Sequence, residues 1–96
     1  MIYKFSSFEW DKNKAEKNIK KHGLDFCNVE QLFNDENAKT IESPQKGEKR
    51  YKTIGMCKGR LVTVIHTPRG ENCRIISMRH AWLQERRIYG LSKKIF

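Results

Sequence analysis

The sequence predicts an α+β fold, with helices and strands segregated along the chain rather than alternating. Two observations carry this. Helix caps followed by helically spaced apolar residues fall in the first third, at Asp11 and Asp25. Strand-like runs separated by short turn signals then occupy residues 49–79. Runs that do not alternate indicate α+β rather than a wound parallel sheet. With no repeat, linker or low-complexity tract, residues 1–96 read as one domain, long enough for one small core.

The elements follow in order. Residues 3–10 (YKFSSFEW) are aromatic-rich and open as a strand. Asp11 is placed to cap a helix running to His22, with Gly23 as its left-handed stop. Trp10 and Ala15 have the spacing of a hydrophobic staple, and the apolar stripe is narrow: Ala15, Ile19, then His22. Asp25 caps a second helix through Phe33, along which Phe26, Val29, Leu32 and Phe33 recur at helical spacing. Residues 38–43 form a weak strand ended by Pro44. Residues 49–57 alternate, putting Lys52, Ile54 and Met56 on one face, and Lys58-Gly59 is a hairpin tip. The β-branched run 60–67 suits a central strand, Pro68-Arg69-Gly70 a turn, and 73–79 a further strand. Residues 81–89 read as a short terminal helix stopped by Gly90. The expected architecture is therefore an N-terminal strand and two helices packed on a three- to four-stranded antiparallel sheet, with a short C-terminal helix.

Charge is the informative part of the composition. Lys plus Arg number 20 against 11 Asp plus Glu, a net +9. Residues 1–43 hold 7 basic and 8 acidic side chains, whereas residues 44–96 hold 13 and 3. A C-terminal half this basic attracts a polyanion, and arginine's planar fork suits phosphate. Cys27, Cys57 and Cys73 are odd in number and lack C-x-x-C spacing, so reduced, buried thiols are expected. The three histidines likewise show no ligand spacing, and neither metal nor cofactor is expected. No apolar run approaches the ~20 residues of a membrane span, and the N-terminus has no signal-peptide pattern, so a cytoplasmic location is expected.

Several local motifs keep a fixed order over residues 8–89. They are Phe8-Glu9-Trp10-Asp11, Lys21-His22-Gly23, Glu48 and Arg50 with Ile54-Gly55, and Gly59-Arg60-Leu61 with Val64 and Thr67. The series ends with Arg74-Ile75-Ile76-Ser77, Arg79, Ala81, Glu85-Arg86-Arg87 and Tyr89. In this the chain resembles the BrnT family of ribonuclease toxins, which share a fold with RelE-type toxins. The resemblance implies a RelE-like fold and a metal-independent endoribonuclease that blocks translation. It also implies a cognate BrnA-like antitoxin with a DNA-binding domain, through which alone operator DNA is reached. One departure stands out: His80 occupies a position where the family leads one to expect a second arginine.

Metal-free RNA cleavage needs a base for the 2′-hydroxyl, cations for the pentacoordinate phosphate and an acid for the leaving oxygen. Arg79, at the end of the last strand, is the first choice for a phosphate clamp, sharing a face with Ser77 and Ile75; the alternative is a rim arginine paired to a surface acid. Glu85, among so many arginines, should have a depressed pKa. It then serves better as an orienting partner for Arg79 or Arg86 than as a proton donor, although a catalytic-base role stays open. His80 is a candidate acid or base, since an unperturbed imidazole titrates near neutrality, unless it points to the other strand face. His66 is a weaker candidate, more often a satisfied core histidine, and His22 reads as a cation at a helix C-terminus. Tyr89 either contacts RNA or anchors the last helix to the sheet. Arg50, Arg60, Arg69 and Arg86 are candidate RNA-backbone contacts, Arg69 the most exposed of them. Phe8 and Trp10 read as core. Composition alone also leaves open a non-catalytic basic nucleic-acid-binding module, because counterion release drives binding without cleavage. A basic face would equally suit an acidic segment of the antitoxin.

Overall fold

The computed structural model describes residues 7–43 and 47–92. The expected start of the first strand at residues 3–6, and Pro44 as the end of the fourth element, lie outside them. The elements are β1 (Ser7–Trp10), α1 (Lys12–His22), a 3₁₀ turn (Phe26–Asn28), α2 (Val29–Phe33), β2 (Lys39–Ser43), β3 (Arg50–Cys57), β4 (Arg60–Arg69), β5 (Asn72–His80) and α3 (Leu83–Ser92).

The fold is α+β, as expected, but the sheet is larger and mixed. Five strands run in the order β1-β5-β4-β3-β2. β1 is not a separate strand beside the sheet. It pairs in parallel with β5, from Ser7 against Asn72 to Trp10 against Ile75, while the other pairs are antiparallel. β4 is central, as its apolar run requires.

Local punctuation works as the sequence suggests. The Asp11 side chain accepts from the Asn13 backbone at 2.8 Å, and Gly23 closes α1 at φ 70°. Asp25 accepts from the Cys27 backbone, but the turn it caps is 3₁₀ before α2 begins at Val29. Lys58 and Gly59, at φ 50° and 74°, form the two-residue hairpin turn. The Lys58 N–H donates to Gln31 Oε1 at 2.6 Å, which ties this left-handed lysine to α2.

Four local expectations are corrected. Asn18, not Ile19, is the buried residue of α1; Ile19 remains 43% exposed. The Asn18 amide donates to the Leu24 carbonyl and its oxygen accepts from the Met78 N–H, so a polar anchor stands where Ile19 was expected, while Ala15 packs on the apolar cluster as the stripe predicts. Pro68-Arg69 is not a turn: β4 continues to Arg69, paired with Asn72. Gly90 does not stop α3, which runs to Ser92. Cys27 is exposed, whereas Cys57 and Cys73 are buried, and burial pushes the Cys73 thiol up to about 12.

The two sheet faces bury separate clusters. One face, under the 3₁₀ turn and α2, joins Phe26, Val29, Leu32 and Phe33 to Val62, Val64, Cys73, Ile75 and Met78, with Phe8 and Trp10 packed against them. The other, under α3, joins Ile54, Leu61, Ala81 and Tyr89, with Met56 and Ile88 alongside. A register shift opposite Ile65/His66 separates the pairs Ser77–Ile65 and Ile75–His66 and leaves Ile76 as the extra residue of a bulge. Ile75 and Met78 therefore share the α2 face despite their odd spacing. The expectation that Arg79 shares a face with both Ser77 and Ile75 fails at Ile75, because the bulge resets the alternation.

Candidate active site

The α3 face brings together side chains from β3, β4, β5 and the start of α3, with Glu85 at the centre. Glu85 is the third residue of α3 and its side chain is 1% exposed. Its Oε1 accepts from the Trp82 backbone N–H at 2.8 Å, the reciprocal half of a capping box. The same carboxylate accepts Arg79 Nη1 at 2.7 Å and Nη2 at 2.8 Å, a bidentate fork. Lys52 Nζ from β3 donates at 2.9 Å and Thr63 Oγ1 from β4 at 3.0 Å.

Burial by itself would raise the Glu85 pKa. The hydrogen bonds from Arg79, the Trp82 backbone, Lys52 and Thr63 outweigh it and hold the carboxyl well below the usual carboxylate range. Glu85 is thus held as an anion between the Arg79 and Lys52 cations. Two cations on one carboxylate leave the cluster net positive. Arg79 spends two of its N–H groups on Glu85 and directs Nη1 towards the His80 carbonyl at 3.5 Å. A guanidinium has five N–H donors in all. Its central carbon lies 3.6 Å from the centroid of the Trp82 ring, and Trp82 is itself 59% exposed.

The remaining candidates fall at different places. His80 is exposed at the end of β5, opposite Val62 and adjacent in sequence to Arg79. Tyr89 is buried, and its hydroxyl donates to Asp35 Oδ2 at 2.8 Å. Burial, with the Asp35 hydrogen bond and charge, pushes the phenol up to about 12. As placed, Tyr89 anchors α3 to the segment after α2, where the Met56 N–H also donates to Asp35. Arg86 is exposed on α3. Arg60, also exposed, lies at the end of β4 that reaches Arg79, since Thr63 pairs with Arg79. Arg69 lies at the far end of β4, about 20 Å along the strand at ~3.3 Å per residue. Arg50 belongs to that end too, with Nε on Glu48 at 3.1 Å. The structure thus joins Arg79 and Glu85 on the α3 face; His80 and Arg60 lie at the same end of the sheet but alternate to the α2 face, where Arg60 lines a cavity with Asp25 and Asn28, and Arg50 and Arg69 lie at the other end.

His66 is buried on the opposite face, with Nε2 at 2.8 Å from Thr53 Oγ1 and its ring against Phe33 and Tyr51. Burial lowers its pKa to about 4, so it is a neutral core histidine. Sequence reasoning misses Lys52, Thr63 and Trp82 as members of the site. A signal exists for Lys52: it alternates with Ile54 and Met56, and a cation on a covered face demands a buried acid.

A family model described as the ribonuclease toxin, BrnT, of type II toxin–antitoxin systems matches residues 10–85. Comparison with curated proteins finds no match. The matched span runs from Trp10 at the end of β1 to Glu85 itself and takes in the strands β2 to β5, and such a family carries with it an antitoxin partner. The chain belongs to the BrnT family of ribonuclease toxins of type II toxin–antitoxin systems.

Proposed function

We propose that the chain is a metal-independent endoribonuclease of RelE-like fold that inhibits translation in the cytoplasm, acting as a single domain. The observation that carries this is the Arg79–Glu85–Lys52 cluster. Arg79 is the phosphate clamp: a guanidinium fixed before substrate arrives stabilises charge developing on the phosphorane without reorganising. Glu85 orients it and Lys52 adds a second positive charge beside it. His80, next in the chain and exposed, is the group for proton transfer, reaching the phosphate round the end of β5 because strand alternation turns it to the α2 face; Arg86 on α3, and Arg60 round the same strand end, extend the positive surface for RNA. Tyr89 supports α3 from beneath, and Arg50 and Arg69 meet only an RNA long enough to cross the sheet. Metal independence is supported by the donor set, because both oxygens of Glu85, the carboxylate of the cluster, already accept from cationic and N–H or O–H donors.

The partner is a BrnA-like antitoxin whose DNA-binding domain brings the pair to operator DNA. A net-positive site with an exposed indole at its rim suits an acidic inhibitory segment. Expression without antitoxin is expected to arrest growth and pulse-labelled protein synthesis, and Arg79→Lys, which keeps a cation for Glu85 but lacks the fork, is expected to relieve both. Arrest undiminished in Arg79→Lys would remove Arg79 from the site. Salt-sensitive RNA binding with no cleavage would instead establish the non-catalytic binding module.

A further inference from the structure

Arg79 also forms one wall of a groove that no local feature of the sequence announces. A cavity of about 550 Å³ lies between α1 and the end of β5, with Lys14, Lys17, Lys21 and His22 on one side and Arg79 and Trp82 on the other. The three lysines recur at i, i+3 and i+7 and so share one face of α1. Glu16, the one carboxylate of α1, lies at least about 100° around the helix from each of the three lysines and does not line the groove. No carboxylate lines the groove among the described residues. The helix is held in place by Asn18, which bridges the Leu24 carbonyl and the Met78 N–H. The positive wall is therefore fixed relative to Arg79.

We propose that this groove is the track for a single-stranded RNA, with the α1 lysines on successive backbone phosphates leading to Arg79 and a base stacked on Trp82. The proposal rests on Arg79 being the phosphate-binding group of the site. Lys14 to Lys21 spans about 10 Å along the helix, which matches about three charges of a stacked strand at 3.4 Å each. A positive groove beside an exposed aromatic is the combination that binds single strands without reading sequence. Arg79 lies 3.6 Å and Lys52 Nζ 5.9 Å from the Trp82 ring centroid, yet the residue is 59% exposed, so ring surface remains for a base.

The test is the salt dependence of binding to a short fluorescein-labelled RNA with 2′-O-methyl sugars, which cannot be cleaved. Lys17→Gln/Lys21→Gln is compared with Lys12→Gln/Lys20→Gln, which removes equal charge from outside the groove; glutamine keeps helix propensity close to that of lysine. The groove pair is expected to flatten the log–log salt slope by about 1.4, about 0.7 for each phosphate no longer neutralised, and the outer pair to leave it unchanged. Trp82→Ala is expected to weaken binding about tenfold at every salt concentration without altering the slope. Equal slopes for both pairs would overturn the track. So would groove-pair loss of binding to polyglutamate with RNA binding intact, which would assign the groove to an acidic protein segment. Cleavage of unmodified RNA by the parent and Arg79→Lys, run in parallel, separates the two readings. Arg79-dependent cleavage with an unaffected slope rejects the track alone, and a parent that neither binds nor cleaves rejects both.

Discussion

Glu85 is expensive to bury and stays buried because five donors meet it. Glu85→Gln keeps the shape but leaves Arg79 and Lys52 without a counter-charge, and is expected to cost about 3 kcal/mol in chemical unfolding. Because the folded-state pKa is depressed, the stabilisation from Glu85 is complete above its ordinary value of 4.5 and is lost as pH falls below it. His66 acts in an earlier window. Its folded pKa of about 4 lies below its ordinary 6.5, so the unfolded chain takes up a proton first and stability declines as pH drops from 6.5 towards 4. Melting temperature against pH is therefore expected to fall in two stages. His66→Gln should flatten the upper stage and Glu85→Gln the lower. A single stage untouched by either substitution would refute this assignment. Among single residues, the pairing of Glu85 with an arginine is legible, because Glu85 is one of only three acids after residue 43, and the structure chooses Arg79 over Arg86. Thr63 and Trp82 are hidden, since strand pairing and the α3 cap bring them to Glu85, and Lys52 shows in the sequence only as a cation on a covered strand face.

Elements whose boundaries depend on local chemistry are readable: Asp11 caps α1, Gly23 stops it, and Gly59 closes the hairpin, whereas Asp25 caps a 3₁₀ turn instead of the expected helix and Lys58 takes its left-handed φ against its own preference. Elements fixed by distant partners are not. Nothing near Ser7–Trp10 says that it pairs in parallel with β5, and nothing near Ile76 says that the register shifts there. Gly90 misleads for a related reason: a glycine near a helix end resembles a stop, but here the helix runs through it. Two glycines give opposite expectations. A Cβ at Gly90 meets nothing within 4 Å, so Gly90→Ala should stabilise by about 0.5–1 kcal/mol. A Cβ at Gly55 would sit 3.1 Å from Leu32 Cγ and from the Leu32 backbone oxygen, so Gly55→Ala should destabilise by about 1–3 kcal/mol by pushing α2 off β3. Denaturant midpoints of the two variants check both signs.

Across the whole molecule, the charge asymmetry seen in the sequence resolves into places. The basic C-terminal half divides between the Arg79 end and the Arg69 end of one sheet, and lysines of the nearly neutral N-terminal half return on α1 to face Arg79. That return explains why charge counted by halves identifies a polyanion partner but not its path: the β1-to-α1 connection folds the first third of the chain back against the last strand. The family match ends at Glu85, the residue on which the cationic cluster is built. Whether this cluster cleaves RNA without a metal is decided by the rate at which purified protein cleaves total RNA in EDTA, beside identically purified and folded Arg79→Lys. Cleavage by the parent is expected, with a rate about a hundredfold lower in the variant. Equal cleavage by both, or cleavage abolished by EDTA and restored by a divalent ion, would overturn the metal-free mechanism.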